Sequence, residues 1–170
     1  MPWKKNSQYL KLVDYIKNNQ NMFYRLAYSY TKNEQEALDV VQEAIYKALT
    51  SVDKLKKPEF MKTWMYRIIV NTAISHIREN KKSITTNKIP DICLEDSNSL
   101  DISLDLYDAI DQLDEKQKTV ILLKYFEDMK FKDIAIITES NINTVKTRLY
   151  SAISKLKKII EGGAYNGKEV

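Results

Sequence analysis

Apolar residues recur at helical spacing along most of the chain, and the interruptions in that pattern mark where elements begin and end. Residues 7–31 predict two short helices, the second carrying the aromatic stretch "MFYRLAYSY". Asn33 and Glu36 stand at capping-box spacing, so a helix should open there and run to about Thr50. Its predicted buried stripe is Ala37, Leu38, Val41, Ala44, Ile45, Ala48 and Leu49, which turns Asp39, Glu43, Tyr46 and Thr50 outward with Gln42 on a flank. "SVDKLKKP" reads as a short loop, and Pro58 as the first turn of a long helix to about Asn80. The apolar positions of that helix change from Phe60, Met61, Trp64, Met65 and Ile68 to Val70, Ala73 and Ile77, two packing environments with Trp64 in the core.

From Ser83 to about Ser103 periodicity stops. "SITTNKIPDICLEDSNSLDIS" mixes Ser, Thr, Asn and Asp with a proline and predicts a flexible linker. Helical spacing returns at Leu104 with "LYDAIDQL". Asp114 and Gln117 then cap "KQKTVILLKYF". "FKDIAIIT", the tetrapeptide "ESNI" and the long amphipathic stretch "NINTVKTRLYSAISKLKK" follow, and the tail "GGAYNGKEV" predicts frayed chain. With three glycines and three prolines in 170 residues there is little turn chemistry for sheets, so the fold class is all-α. Two small helical domains, 7–82 and 104–161, are joined by a linker over 83–103.

Charge divides the chain along the same lines. Residues 1–82 carry 15 basic and 8 acidic side chains, a net of +7. Residues 83–115 carry 1 and 9, a net of −8, and residues 116–170 carry 11 and 6, a net of +5. Basic blocks suit polyanionic partners and equally suit solvated faces. No apolar run approaches the roughly 18 residues that would span a bilayer, and no signal peptide opens the sequence, so a cytoplasmic protein is expected. Cys93 is the only cysteine and His76 the only histidine. That excludes a disulfide framework and a thiolate zinc cluster, and His76 is expected at the surface. Neither a metal nor a cofactor is expected. With no phosphate-cradling glycine loop and no nucleophile–base pair, neither is catalysis or a small-molecule substrate.

The last amphipathic stretch carries the sharpest chemistry. Ile142, Val145, Leu149, Ala152, Ile153 and Leu156 form one stripe. Asn143, Thr147, Tyr150, Ser151 and Ser154 lie opposite, with Lys146 and Arg148 at the edges. No acid occurs from Ile142 to Ile160. Polar donors fringed by cations suit a helix in the major groove, where side chains meet base edges and cations meet phosphates. A short helix about four residues upstream, with Ala135 where two helices would cross closely, makes the pair a helix-turn-helix. Two packed helices without a DNA role would share this spacing.

Three stretches in order resemble one family. "DVVQEAIYKAL", "FMKTWMYRIIVNTAISHIR" and "LDEKQKTVILLKYFEDMKFKDIAIITESNINTVKTRLYSAISKLK" are similar to the polymerase-binding helix, the −10 helix and the −35-reading domain of bacterial RNA polymerase sigma factors of the extracytoplasmic-function class, in the sigma-70 family. The resemblance spans roughly residues 7–160. It implies that Asp39, Gln42, Glu43 and Tyr46 bind core RNA polymerase at the β′ clamp helices, with the β subunit a further contact. It implies −10 DNA contacts from Lys56, Lys57, Lys62, Arg67, Asn71, Arg78, Lys81 and Lys82, with the lysine-rich loop helping to hold a flipped base. It implies −35 contacts from Asn143, Thr144, Lys146, Thr147, Arg148, Tyr150, Ser151 and Lys155. It further implies promoter DNA and a membrane-bound anti-sigma factor as partners, and an acidic linker that threads the polymerase. The chain departs from the family pattern at Glu139, where a turn glycine is usual, at Ser75 where an acid is frequent, and at Ser151 where many members carry a cation. A stand-alone helix-turn-helix regulator is the alternative function, and the outward acids Asp39 and Glu43 argue against it.

Overall fold

A computed structural model describes residues 2–83 and 100–166, with side-chain surroundings for 7–83 and 106–162. The linker expectation and Cys93 therefore lie largely outside the described residues. Every regular element among those described is helical. The chain divides into two compact units, one of residues 1–87 with the short segment 136–139, the other of residues 88–135 and 140–170.

The first unit holds α1 (Pro2–Thr31), α2 (Glu34–Thr50) and α3 (Met61–Ser83). Where the sequence predicts two helices over 7–31, α1 is one helix of 30 residues. The buried stripe of Leu12, Ile16, Phe23, Leu26, Ala27 and Tyr30 is crossed by the polar run 18–21 only at Asn19, which is half-buried, while Asn18, Gln20 and Asn21 are exposed. Asn19 Nδ2 donates to Tyr15 O at 2.7 Å, so a side chain that could have broken the helix bonds back onto it. α2 opens at the expected place: Asn33 Oδ1 accepts from the Glu36 N–H at 2.9 Å. Glu36 does not return the bond that would complete a box. Its carboxylate instead lies 3.7 Å from Nε2 of His76 on α3. His76, expected at the surface, is half-buried between α2 and α3 for that reason.

The loop before α3 is anchored from below. Val52 and Leu55 are buried, a 3₁₀ turn spans Val52–Lys54, and Gln8 Nε2 donates to Leu55 O at 2.6 Å. Pro58 opens a second 3₁₀ turn, Pro58–Phe60, that leads into α3. In α3, Met61, Met65, Tyr66, Ile69, Val70, Thr72 and Ala73 are buried. Phe60 is exposed and Trp64 and Ile68 only half-buried, so the predicted change of packing face is one inward face, and Trp64 is not a core residue.

The second unit is built on α4 (Leu100–Asp111), α5 (Glu115–Ile121), α6 (Phe131–Ile137) and α7 (Ile142–Asn166). α4 begins four residues before the predicted start at Leu104, and α7 runs to Asn166, into the segment expected to fray. The Asp114–Gln117 capping box is complete. A π turn over Leu122–Phe126 continues α5. The core comprises Ala109, Ile110, Leu113, Val120 to Leu123, Met129, Ile134, Ile137, Val145, Leu149 and Ala152.

The turn between α6 and α7 is a Schellman closure. Ser140 N donates to Ala135 O at 2.9 Å and Glu139 N to Ile136 O at 3.3 Å. Glu139 takes the left-handed position, φ 52°, that favours glycine. The chain thus keeps the turn's shape with a strained residue. Glu139→Gly is expected to stabilise the protein by about 1 kcal/mol, the cost of that conformation for a side chain with Cβ. Thermal unfolding checks it: the melting point should rise for Gly and for Asn, which also tolerates this region, and stay put or fall for Gln.

Candidate polymerase and nucleic-acid interfaces

Three surfaces carry the candidate side chains, and each is set by which stripe of its helix is buried. On α2 the buried positions are Ala37, Val40, Val41, Ala44 and Ala48. Val40 takes the place predicted for Leu38, and Leu38 is 46% exposed. The helix is therefore rotated from the expected setting, and its outer face gains apolar area. Leu38, Asp39, Gln42, Glu43 and Tyr46 are all exposed, Tyr46 to 69%. Asp39 Oδ1 accepts from Gln35 Nε2 at 3.2 Å, and Glu43 pairs with Lys47 at 2.6 Å. Both carboxylates keep acceptor capacity toward solvent. The face is apolar at Leu38, amide and phenol at Gln42 and Tyr46, and anionic at Asp39 and Glu43. Such a surface repels phosphate and suits a protein surface bearing arginine, which forms charge-assisted bonds with carboxylates.

α3 presents Arg67, Asn71 and Arg78 along one row opposite its buried stripe. Asn71 and Arg78 are exposed and Arg67 is half-buried. Trp64 falls in the same row one turn earlier, so the structure adds an aromatic that periodicity had placed in the core. Lys62 is exposed on the first turn but lies outside this row. Lys56 and Lys57 are exposed on the anchored loop, where Lys57 lies 3.8 Å from Glu59. Lys81 and Lys82 are exposed in the last turn, where cations also complement the helix dipole.

α7 buries Val145, Leu149, Ala152 and Leu156 and leaves Ile142 and Ile153 exposed, so its stripe is narrower than predicted. Asn141 caps it, accepting from the Thr144 N–H at 2.7 Å, which leaves Thr144 half-buried in the first turn. Asn143, Lys146, Thr147, Tyr150, Ser151 and Lys155 are exposed together. Their hydroxyls are not equivalent. Thr147 Oγ1 donates to Asn143 O at 2.9 Å, while Ser151 Oγ accepts from Gln117 Nε2 at 3.0 Å. Arg148 is half-buried, and its Nη1 donates to Ser140 Oγ at 2.7 Å, which ties the helix to the turn before it. Phe131, which periodicity did not single out, sits between two cations: Lys124 Nζ lies 4.7 Å and Lys146 Nζ 5.6 Å from its ring centroid.

A groove of about 480 Å³ lies on the second unit between α4, α5 and α7, lined by Leu106, Ile110, Tyr125, Phe126, Ile153 and Ile160 among others. Lys157 and Glu161 are the charged residues in its wall. Sequence reasoning missed it, because Tyr125 and Phe126 end a helix that reads as core and are carried outward by the π turn. Among the described residues, no group of three or more His, Cys, Asp or Glu is placed to hold a metal ion, and no helix is long and apolar enough to cross a membrane.

Comparison with known proteins finds matches to both parts of the chain. Residues 15–83 match the family model for sigma-70 region 2, and residues 103–156 that for sigma-70 region 4. The RNA polymerase sigma factor SigV of Bacillus subtilis is 43% identical over 155 residues, covering 91% of this chain and 93% of that protein. The ECF RNA polymerase sigma factor SigW of the same organism is 30% identical, covering 91% of each. The fold matches the sigma factor RpoE of Bartonella quintana, solved in complex with the anti-sigma factor NepR, with a TM-score of 0.72 at 22% identity, over 87% of this chain and 97% of that one. The agreement runs through both units and the region between them, and the chain belongs to the sigma-70 family of RNA polymerase sigma factors, in its extracytoplasmic-function class.

Proposed function

We propose that the chain is a dissociable promoter-specificity subunit in which residues 7–82 bind core RNA polymerase and open the −10 element, and residues 104–161 read the −35 element. The observation that carries this reading is the outer face of α7: exposed amide, hydroxyl, phenol and ammonium groups with no acid, on a helix closed against its own core by Val145, Leu149, Ala152 and Leu156. The outer face of α2 docks on the β′ clamp helices through Asp39, Gln42, Glu43 and Tyr46. The apolar groove of the second unit, with so little charge in its wall, suits a protein surface rather than phosphate, and we assign it to the β subunit. Arg67, Asn71 and Arg78 meet the −10 element, with Trp64 as a stacking surface for an unpaired base and Lys56, Lys57, Lys62, Lys81 and Lys82 on phosphates. The linker over 83–103 spans the polymerase between the two units.

The polymerase makes the phosphodiester bonds, and this chain supplies promoter choice in the cytoplasm. A membrane-bound anti-sigma factor would hold it inactive by covering the protein-docking faces. The stand-alone regulator is not favoured for a chain of this family.

Two single substitutions on α7 test the −35 assignment. Lys146, held beside the Phe131 ring in the reading face, should contact a base edge. Lys146→Ala is expected to cost about 1–3 kcal/mol at one base position and relax preference there. Lys155, two turns further on, should hold a phosphate. Lys155→Ala is expected to weaken all −35 sequences alike and reduce the salt slope by about one unit. Transcription from a promoter library, scored position by position, separates the two. If Lys146→Ala lowers every promoter equally, the reading face is misplaced.

A further inference from the structure

The side chain of Gln117 is held at both ends, and that fixes what Ser151 can do. Gln117 is the third residue of α5, and its Oε1 faces the backbone N–H of Asp114 at 3.4 Å. A backbone N–H can only donate, so the amide oxygen must be the end that points there. The amide nitrogen is thereby turned to Ser151 Oγ at 3.0 Å. That nitrogen can only donate, so the serine oxygen must accept, and the serine proton is directed elsewhere. Among the described residues Gln117 is the hydrogen-bond partner of this hydroxyl. Thr147, one turn earlier on the same face, is set the opposite way: its proton is committed to Asn143 O, which leaves its oxygen lone pairs and methyl outward.

We propose that Gln117, a residue outside the recognition helix, is a specificity-positioning residue: it makes Ser151 a hydrogen-bond donor toward the −35 major groove. The inference rests on the reading of α7 as the −35 helix. A donor at that place favours a base-edge acceptor, namely purine N7, guanine O6 or thymine O4, over cytosine, whose amine can meet only the one serine lone pair that Gln117 leaves open. Cytosine at the facing position should lower transcription roughly three- to tenfold relative to an acceptor base, the range of one neutral hydrogen bond.

The discriminating substitution is Gln117→Glu. Glutamate at this helix position still completes a capping box, so the fold is kept. A carboxylate only accepts, so it takes the Ser151 proton and leaves the serine oxygen as an acceptor. Preference at that one position should then move toward cytosine or adenine, whose exocyclic amines donate. The added charge should lower all promoters together and cancels when preferences are normalised. Ser151→Ala should flatten the same position. The experiment is library transcription with core polymerase for the wild type, Gln117→Glu and Ser151→Ala, with melting points recorded for each. A reversal confined to the position that Ser151→Ala flattens supports the proposal. If Gln117→Glu lowers output with base preference unchanged, Gln117 is structural only and the proposal fails while the −35 reading stands. If the wild type shows no −35 preference in any position, both fail.

Discussion

Reversing Asp39 and Glu43 together, as Asp39→Lys with Glu43→Lys, is expected to reduce affinity for core RNA polymerase at least a hundredfold. Each charge-assisted contact is worth about 1.5–3 kcal/mol, and two lost contacts together exceed the roughly 2.8 kcal/mol that a hundredfold change requires. The reversed lysines would also face the cationic surface they are meant to complement. The fold should survive, because both side chains are exposed. Glu43 loses its pairing with Lys47, but an exposed pair at this helical spacing contributes only about 0.3–0.5 kcal/mol. Leu38→Ala on the same face, judged by its exposure, should weaken binding without altering charge. Titration of each variant against core polymerase, with circular dichroism as the control for folding, checks this. Unchanged affinity for the double reversal would remove α2 from the interface.

The largest loss of stability is expected at Tyr66. It is fully buried on α3, and its ring meets Phe23 of α1 edge-on, centroids 5.8 Å apart at 82°. Phe23 in turn packs against Tyr15 at 6.0 Å. Truncation of so large a buried aromatic costs about 3–5 kcal/mol, through lost burial and the cavity left behind. For a unit of this size that lowers the melting point by more than about 12 °C. Tyr66→Ala should therefore unfold the first unit at moderate temperature and abolish −10 opening, since Arg67, Asn71 and Arg78 stand on the outer side of the same helix. The second unit has its own core and should remain folded. Hydrogen exchange resolved by segment tests this: α1–α3 should lose protection while α5–α7 keep it. Uniform loss along the chain would show that the units do not fold independently. Tyr66→Phe, which keeps the ring, should restore most of the stability.

Much of this was legible in the sequence, and the misses have physical causes. Caps were readable because an Asn or Asp three residues before an amide or acid is a local signal, satisfied by local bonds at Asn33 and Asp114. The length of α1 was not, because a run of asparagines reads as a break. Only the tertiary stripe from Leu12 to Tyr30 shows that Asn18, Gln20 and Asn21 ride on the solvent side and that half-buried Asn19 stays within the helix by bonding back to Tyr15 O. The setting of α2 was misjudged by the choice between Leu38 and Val40, two apolar residues on neighbouring faces. Packing against α1 and α3 decides it, and periodicity alone does not. Trp64 follows the same rule: a large aromatic among apolar residues reads as core, yet it sits half-buried on the row of Arg67 and Asn71. The family pattern singles out Glu139, and its positive φ is visible only in the structure. The Gln117–Ser151 bond joins residues 34 apart, a contact that no local pattern encodes.

Promoter choice is expected to belong to this chain only when it is joined to core polymerase. Run-off transcription with purified core polymerase on a library randomised at both promoter elements, paired with duplex binding by the free chain at physiological salt, tests it most directly. Transcripts are expected from promoters that carry a −35 and a −10 element at fixed spacing, and only when chain and core are both present. No nanomolar, sequence-specific duplex binding by the chain alone is expected, because the two units gain their alignment on the polymerase. Tight binding of the free chain to paired half-sites, with core polymerase left unredirected, would contradict it.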